Sequence, residues 1–186
     1  RRAEARAGDP GARRRGILVH ALLEHLPAIQ PELRAGAAGT YLAARAPGLP
    51  HAEHAAISAS VLRLLDDPDL AVLFGPEARA EVSLAGTIAL DGRDWPVHGR
   101  IDRLAVAPEA VWIADFKTGR PPAPEAPVPA GHAAQVALYA ALLARIHPGR
   151  RIVPLVVWTA GPVIRRLDEG ACAAALAAIR PDPVSA

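Results

Sequence analysis

Apolar residues recur at helical spacing in three stretches of the chain, and between the second and the third the spacing changes to every other residue. Leu18, Val19, Leu22 and Leu26 mark one face of a helix predicted over residues 15–26 and closed by Pro27, while His20 and Glu24 share a different face. Ile57, Val61, Leu64 and Leu65 keep the same period over residues 52–65 until Asp67-Pro68 breaks it, and a short helical turn through residues 70–74 follows. The third helix is predicted over residues 132–146, with Leu138, Leu142 and Ile146 inward and Pro148-Gly149 as its stop.

Alternation governs residues 81–85 and 87–90, then, after a turn at Asp91-Gly92, residues 97–106 and 111–117, which predicts a meander of short antiparallel strands. Residues 119–131 carry five prolines and no apolar period, so they should form an extended loop over the sheet surface, beside whatever Lys117 serves. Residues 152–158 read as a further strand, which Pro154 moves away from the sheet centre to an edge or a bulge. The alanine-rich segment 168–180 closes the chain as a helix. The order is helices, three or four strands, helix, strand, helix, without a repeat or a second core. One domain is expected over residues 15–186, preceded by an unpatterned Arg/Ala/Gly tail or linker remnant over residues 1–14.

The strand pattern brings charges together. If residues 107–110 form the turn, Val106 faces Val111 and continued pairing sets Asp102 opposite Asp115. Cross-strand neighbours on one face have Cβ atoms roughly 4.5–5.5 Å apart, where like charges repel unless something compensates, and a divalent cation is the obvious compensation. Asp115 and Lys117 project from the face that also carries Val111 and Ile113, so two charges end an apolar face. Burying either charge costs several kcal/mol unless it pairs or binds metal. An Asp115–Lys117 ion pair at a strand end is the plain reading, and Asp102 opposite argues for more. Two carboxylates and a lysine suit phosphodiester hydrolysis: oxygen ligands hold Mg²⁺, the metal acidifies a bound water, and lysine orients that water or stabilises charge.

Composition narrows the rest. At 186 residues, 51% of them apolar, the chain can bury a core without a staple. Its single cysteine, Cys172, excludes an internal disulfide and four-cysteine zinc or iron–sulfur ligation, so a reducing, cytoplasmic setting is expected. No apolar run reaches membrane-spanning length. A net charge of +2 and a pI near 9.2 are compatible with nucleic acid without arguing for it. Lys117 is the only lysine among 21 Lys and Arg residues, which suggests that its position needs a primary amine. The chain has no methionine, not even at its start, as expected of a region of a longer polypeptide.

Gly99-Arg100-Ile101-Asp102-Arg103, then Asp115-Phe116-Lys117-Thr118, then Gln135-Val136-Ala137-Leu138-Tyr139, preceded by His20-Ala21-Leu22-Leu23-Glu24, together resemble the RecB-type branch of the PD-(D/E)XK nuclease superfamily. The likeness runs from about residue 15 to about residue 160 and is greatest to the C-terminal nuclease domains of AddA-type helicase–nucleases. It implies an α/β, restriction-endonuclease-like core with a central mixed sheet of about four to five strands flanked by helices. It further implies that His20, Asp102, Asp115 and the Phe116 carbonyl ligand Mg²⁺, for which Mn²⁺ substitutes, and that Lys117 acts on the attacking water. Gln135 and Tyr139 would lie over the site, binding substrate or bracing the lysine. Histidine departs from the usual oxygen ligands of Mg²⁺ but marks this branch. The partners implied are DNA as a 3′-ended single strand, the helicase portion of the parent chain and an AddB-like subunit, in the processing of double-strand breaks. No Gly-x-x-x-x-Gly-Lys-Ser/Thr loop occurs, so ATP hydrolysis belongs elsewhere.

Other readings stay open on the residues alone. A degenerate nuclease fold would bind DNA or brace a subunit without cutting, and a Schiff-base lysine would need a larger barrel than this chain supplies. His20 fits a structural histidine, and Gln135 with Tyr139 fits a polar helix stripe. Glu24 reads equally as a supporting acid or a surface residue, and Glu81 as a lesser candidate for supporting the metal site. Arg13 to Arg15, Arg100, Arg103, Arg120, Arg150, Arg151, Arg165 and Arg166 include the expected phosphate contacts. The remaining histidines and Trp95, Trp112 and Trp158 read as structural.

Overall fold

The computed structural model describes residues 10–90 and 92–179. Helix α1 (Pro10–His25) runs into a 3₁₀ turn (Leu26–Ala28), and α2 (Pro31–Arg45) and α3 (His51–Leu65) follow, then a 3₁₀ segment (Pro68–Phe74). Strands β1 (Ala78–Leu90), β2 (Arg93–Val106) and β3 (Ala110–Lys117) form a meander, and α4 (Ala130–Ile146) crosses over to β4 (Arg151–Trp158). A short β5 (Val163–Arg166) and α5 (Glu169–Ala177) close the fold. The sheet order is β1-β2-β3-β4-β5, antiparallel except for the β3–β4 pair, which is parallel because α4 carries the chain back to the starting edge. This is the five-stranded mixed sheet flanked by helices expected of a restriction-endonuclease-like core.

The two faces of the sheet are covered differently. Leu18, Val19 and Leu22 of α1, Leu42 of α2 and Ile57, Val61 and Leu64 of α3 share a cluster with Ala105, Ala114 and Phe116. On the other face Tyr139, Leu142 and Leu143 of α4 pack with Val111, Ile113 and Ile101.

Several expectations are corrected. Residues 10–14, read as tail, belong to α1, whose first residue is a proline; the rest of that tail lies outside the described residues. Pro at the first helical position and helix-favouring arginines suit a helix start, but they leave no apolar stripe to read. Helix α2 was missed because it buries only Ala38 and Leu42. Ile146 is exposed at the last residue of α4 rather than inward. Strand β5 was not foreseen, and β4 lies inside the sheet rather than at its edge.

Pro154 is tolerated within β4 for a local reason. Its carbonyl accepts from Leu167 N–H at 3.0 Å, just beyond the last β5 pair, Leu155 with Arg166. A residue's N–H and C=O lie on the same side of a strand, so the missing donor falls where the β5 ladder has ended and costs no bond to β3. Among the described residues no helix is long and apolar enough to cross a membrane.

Leu42 is fully buried and is the main apolar anchor of α2. Leu42→Ala is expected to cost about 2–5 kcal/mol through lost burial and a residual cavity. Urea denaturation of the two proteins checks this, and a change below about 1 kcal/mol would mean that α2 is not packed as described.

Candidate active site

Strand alternation divides the end of β3 between two faces. Val111 and Ile113 pack on the α4 side, so Asp115 and Lys117 point the same way, while the Phe116 ring enters the α1 side with Ala114. Lys117 Nζ lies 2.7 Å from Asp115 Oδ2 and donates to Gln135 Oε1 at 3.3 Å. Asp115 is 5% exposed, and its buried Oδ2 faces the Lys117 ammonium in an ion pair.

Asp102 reaches the site through an irregularity. Ile101 belongs to the α4-side cluster and Ala105 to the α1-side cluster, although residues four apart on a regular strand share a face, so β2 turns over between them. Strand β1 is irregular at the same place. Glu81 stands between the partners of Arg103 and Ile101 and has φ of 54°, a strained value for a residue with a side chain. The β2–β3 ladder pairs Val106 with Val111, as expected, and runs to Arg103 and Ala114, where it stops. Asp102 therefore does not continue the backbone pairing towards Asp115. Its Oδ2 instead accepts from Phe116 N–H at 2.7 Å, so the carboxylate stands in for a main-chain acceptor between the parting strands.

His20 meets this point from α1. Its Nε2 lies 3.2 Å from the Phe116 carbonyl oxygen and its Nδ1 3.7 Å from Asp102 Oδ1. One ligating atom each from His20, Glu81 and Asp102 fall within 4.8 Å of one another, a set able to hold a metal ion. Counting back from the Asp91-Gly92 turn sets Glu81 opposite Asp102, and that count, unused in reading the sequence, is the signal that would have raised its weight.

Burial pushes the Asp102 carboxyl up to about 6, helped by the charges of Asp115 and Glu81 and opposed by His20 and the Phe116 N–H. His132, read from the sequence as structural, sits edge-on to Trp158 with ring centroids 6.3 Å apart. Burial and the Lys117 charge hold it below the usual histidine range, partly offset by Asp115.

Tyr139, one helical turn beyond Gln135, packs where Gly99 has no side chain, and a Cβ at Gly99 would collide with its ring and hydroxyl. A cavity of about 540 Å³ beside α1 opens on His20, Glu24, Glu81 and Asp102, with Arg13 and Arg100 also in its wall. Glu24 is itself exposed there. Arg100 pairs with Glu81 at 3.2 Å. Arg103 is buried, which removes it from the phosphate contacts, and Arg150 and Arg165 donate to the Ala107 and Pro124 carbonyls. The apolar cleft of about 660 Å³ between α4 and α5 includes none of the expected catalytic or metal-binding residues.

A mixed sheet with Asp102 on one strand and Asp115-Phe116-Lys117 ending the next defines a restriction-endonuclease-like protein. The sequence matches the model of the PD-(D/E)XK nuclease superfamily over residues 1–171, and the chain belongs to that superfamily. Its members typically use divalent metal ions. No curated protein matches the sequence. The crystal structure of SSO0001 is similar at 18% identity and a TM-score of 0.36, over 84% of this chain and 71% of that one, a likeness too loose to bear on the site.

A carboxyl whose pKa is raised by folding favours the folded state fully below its ordinary value and loses that contribution as pH rises through the raised one. Asp102 should therefore withdraw about 3 kcal/mol of stability from the metal-free protein between about pH 4 and 6. Denaturation across this range in a chelator should show a downward slope in the wild type that Asp102→Asn lacks. Parallel curves would contradict the electrostatics given for Asp102.

Proposed function

We propose that the chain is a Mg²⁺-dependent DNA exonuclease domain, akin to the C-terminal nuclease domain of AddA, that hydrolyses phosphodiester bonds while a helicase–nuclease processes double-strand breaks. The observation that carries this reading is the meeting of Asp102, His20, Asp115 and Lys117 around the Phe116 peptide at the end of one strand. The donor set fits a divalent cation. Asp102 is crowded by two other carboxylates, and His20 and Glu81 each bring a ligating atom close to it.

His20, Asp102, Asp115 and the Phe116 carbonyl would hold Mg²⁺, or Mn²⁺ in its place; of the side chains, His20, Asp102 and Glu81 have ligating atoms within 4.8 Å of one another, a group that does not include Asp115. When bound, the ion lowers the pKa of a coordinated water and offsets charge on the phosphate. Lys117 presents Nζ to the attacking water and keeps it aligned, while Gln135 fixes that ammonium by accepting from it. Tyr139 seats the same helix against Gly99, which keeps Gln135 over Lys117. Arg13 and Arg100 line the approach and suit the phosphates that flank the scissile bond. The substrate is a 3′-ended single strand delivered by the helicase portion of the parent chain, in the cytoplasm and beside an AddB-like subunit.

Labelled single-stranded DNA should be cut in Mg²⁺ or Mn²⁺ and left intact in chelator. Asp115→Ala and Lys117→Ala should each lower the rate by on the order of 10²–10⁴-fold, as loss of a group acting at the reacting atoms does. Binding of the strand without metal-dependent cutting would instead indicate a DNA-binding or subunit-bracing module, and equal rates for all three proteins would reject these residue roles.

A further inference from the structure

Arg103 follows Asp102 in β2 but turns away from the metal ligands and is 5% exposed. Its Nε donates to the Leu73 carbonyl at 2.8 Å, and its guanidinium carbon lies 5.1 Å from the centroid of the Phe74 ring. It thus grips Phe74 through the preceding carbonyl and through the ring face, a cation–π contact strengthened by desolvation. The Phe74 ring lies almost parallel to that of Phe116, at 8° with centroids 6.3 Å apart. The edge of His20 meets Phe116 at 83°, again with centroids 6.3 Å apart. Both separations lie within the range of attractive aromatic pairs.

These contacts close a circuit. Phe116 contributes both halves of its backbone to the site, its N–H to Asp102 and its C=O to His20. The orientation of one peptide therefore sets the carboxylate and the imidazole together, and its side chain is held only through packing on the α1 side. We infer that Arg103 is a positioning residue: acting through Phe74 and the Phe116 ring, it fixes the Phe116 peptide and so the placement of Asp102 and His20.

A guanidinium is suited to this because its planar fork can bond a carbonyl and lie over a ring at once, with little further loss of rotamer freedom. No carboxylate lies within 4 Å of Arg103 among the described residues; the nearest influence is Glu24, which is exposed. Burying a guanidinium without an ion-pair partner is costly, which is reasonable where the cation has a geometric task.

The first test is amide hydrogen exchange in the metal-free protein, read by NMR, for wild type, Arg103→Met and the milder Phe74→Leu, which keeps an apolar side chain in place. The Phe116 amide should exchange at least tenfold faster in both variants, while the Ile113 amide, lower in β3, and the Val153 amide, in the neighbouring β4, keep their wild-type protection. The second readout is Mn²⁺ affinity by calorimetry, expected to weaken about tenfold in both variants, against Leu65→Ala, a core change in α3 that should lower the melting temperature without changing affinity.

Variants that melt earlier yet keep wild-type exchange at Phe116 would overturn the inference and leave Arg103 with a general role in packing. If Arg103→Met does not fold, Phe74→Leu alone decides. The affinity readout rests on the metal site proposed above, whereas the exchange readout does not. A wild type that takes no Mn²⁺ would count against that site, and the Phe116 amide would still decide for or against the positioning role.

Discussion

The site depends on how one peptide unit is satisfied where two strands part. Beyond Arg103 and Ala114 the β2–β3 ladder ends, so the Phe116 N–H faces a gap in which a buried donor must find an acceptor. Asp102 supplies it at 2.7 Å. An unpaired amide there would cost about 1–3 kcal/mol, so the bond stabilises the fold while it holds the carboxylate at the site. The Phe116 carbonyl is directed at His20. Structural and functional demands therefore fall on the same few atoms, and the strained backbone at Glu81 marks the place in the neighbouring strand.

The end of β3 works because alternation sends consecutive residues to opposite covers. Asp115 and Lys117 pair on the α4 side, where Lys117 meets Gln135, and Phe116 meets α1 and the segment ending in Phe74. Slipping the register by one residue would bury the aromatic ring against α4 and drive both charges into the apolar cluster beneath α1, an exchange that no local relaxation could absorb. The fully apolar positions earlier in the strand, Val111 and Ile113 on one face and Ala110 and Ala114 on the other, hold that register.

Much of this was legible in the sequence where side-chain pattern and backbone geometry agree. The turn at residues 107–110 and the alternation after it placed the β2–β3 pairing from Val106 with Val111 to Arg103 with Ala114, though not the expected Asp102 with Asp115, and the spacing of Leu18, Leu22 and Leu26 placed His20 beside α1's buried face. What escaped lacked a pattern of its own. Helix α2 buries too few residues to show a stripe, and β5 is only four residues long. The turning-over of β2 was invisible for another reason: period-2 reasoning assumes a regular strand, and here Asp102 leaves the alternation to bond a main-chain amide. The same break hid the closeness of Glu81, which the hairpin register alone would have revealed.

The charges of the site are also balanced within the chain. Asp115 has Lys117 at 2.7 Å, Glu81 has Arg100 at 3.2 Å, and Asp102 has only His20, at 3.7 Å. A cluster of three carboxylates with no internal cation would oppose folding until an ion arrived, as structural metal sites do. Here two of the three carry a full counter-charge, so folding need not wait for metal. The carboxyl of the third, Asp102, is raised by burial. The uneven compensation concentrates the remaining electrostatic deficit at Asp102, beside the His20 imidazole and the Phe116 peptide. On the metal site proposed above, a divalent cation held beside Asp102 would offset that deficit.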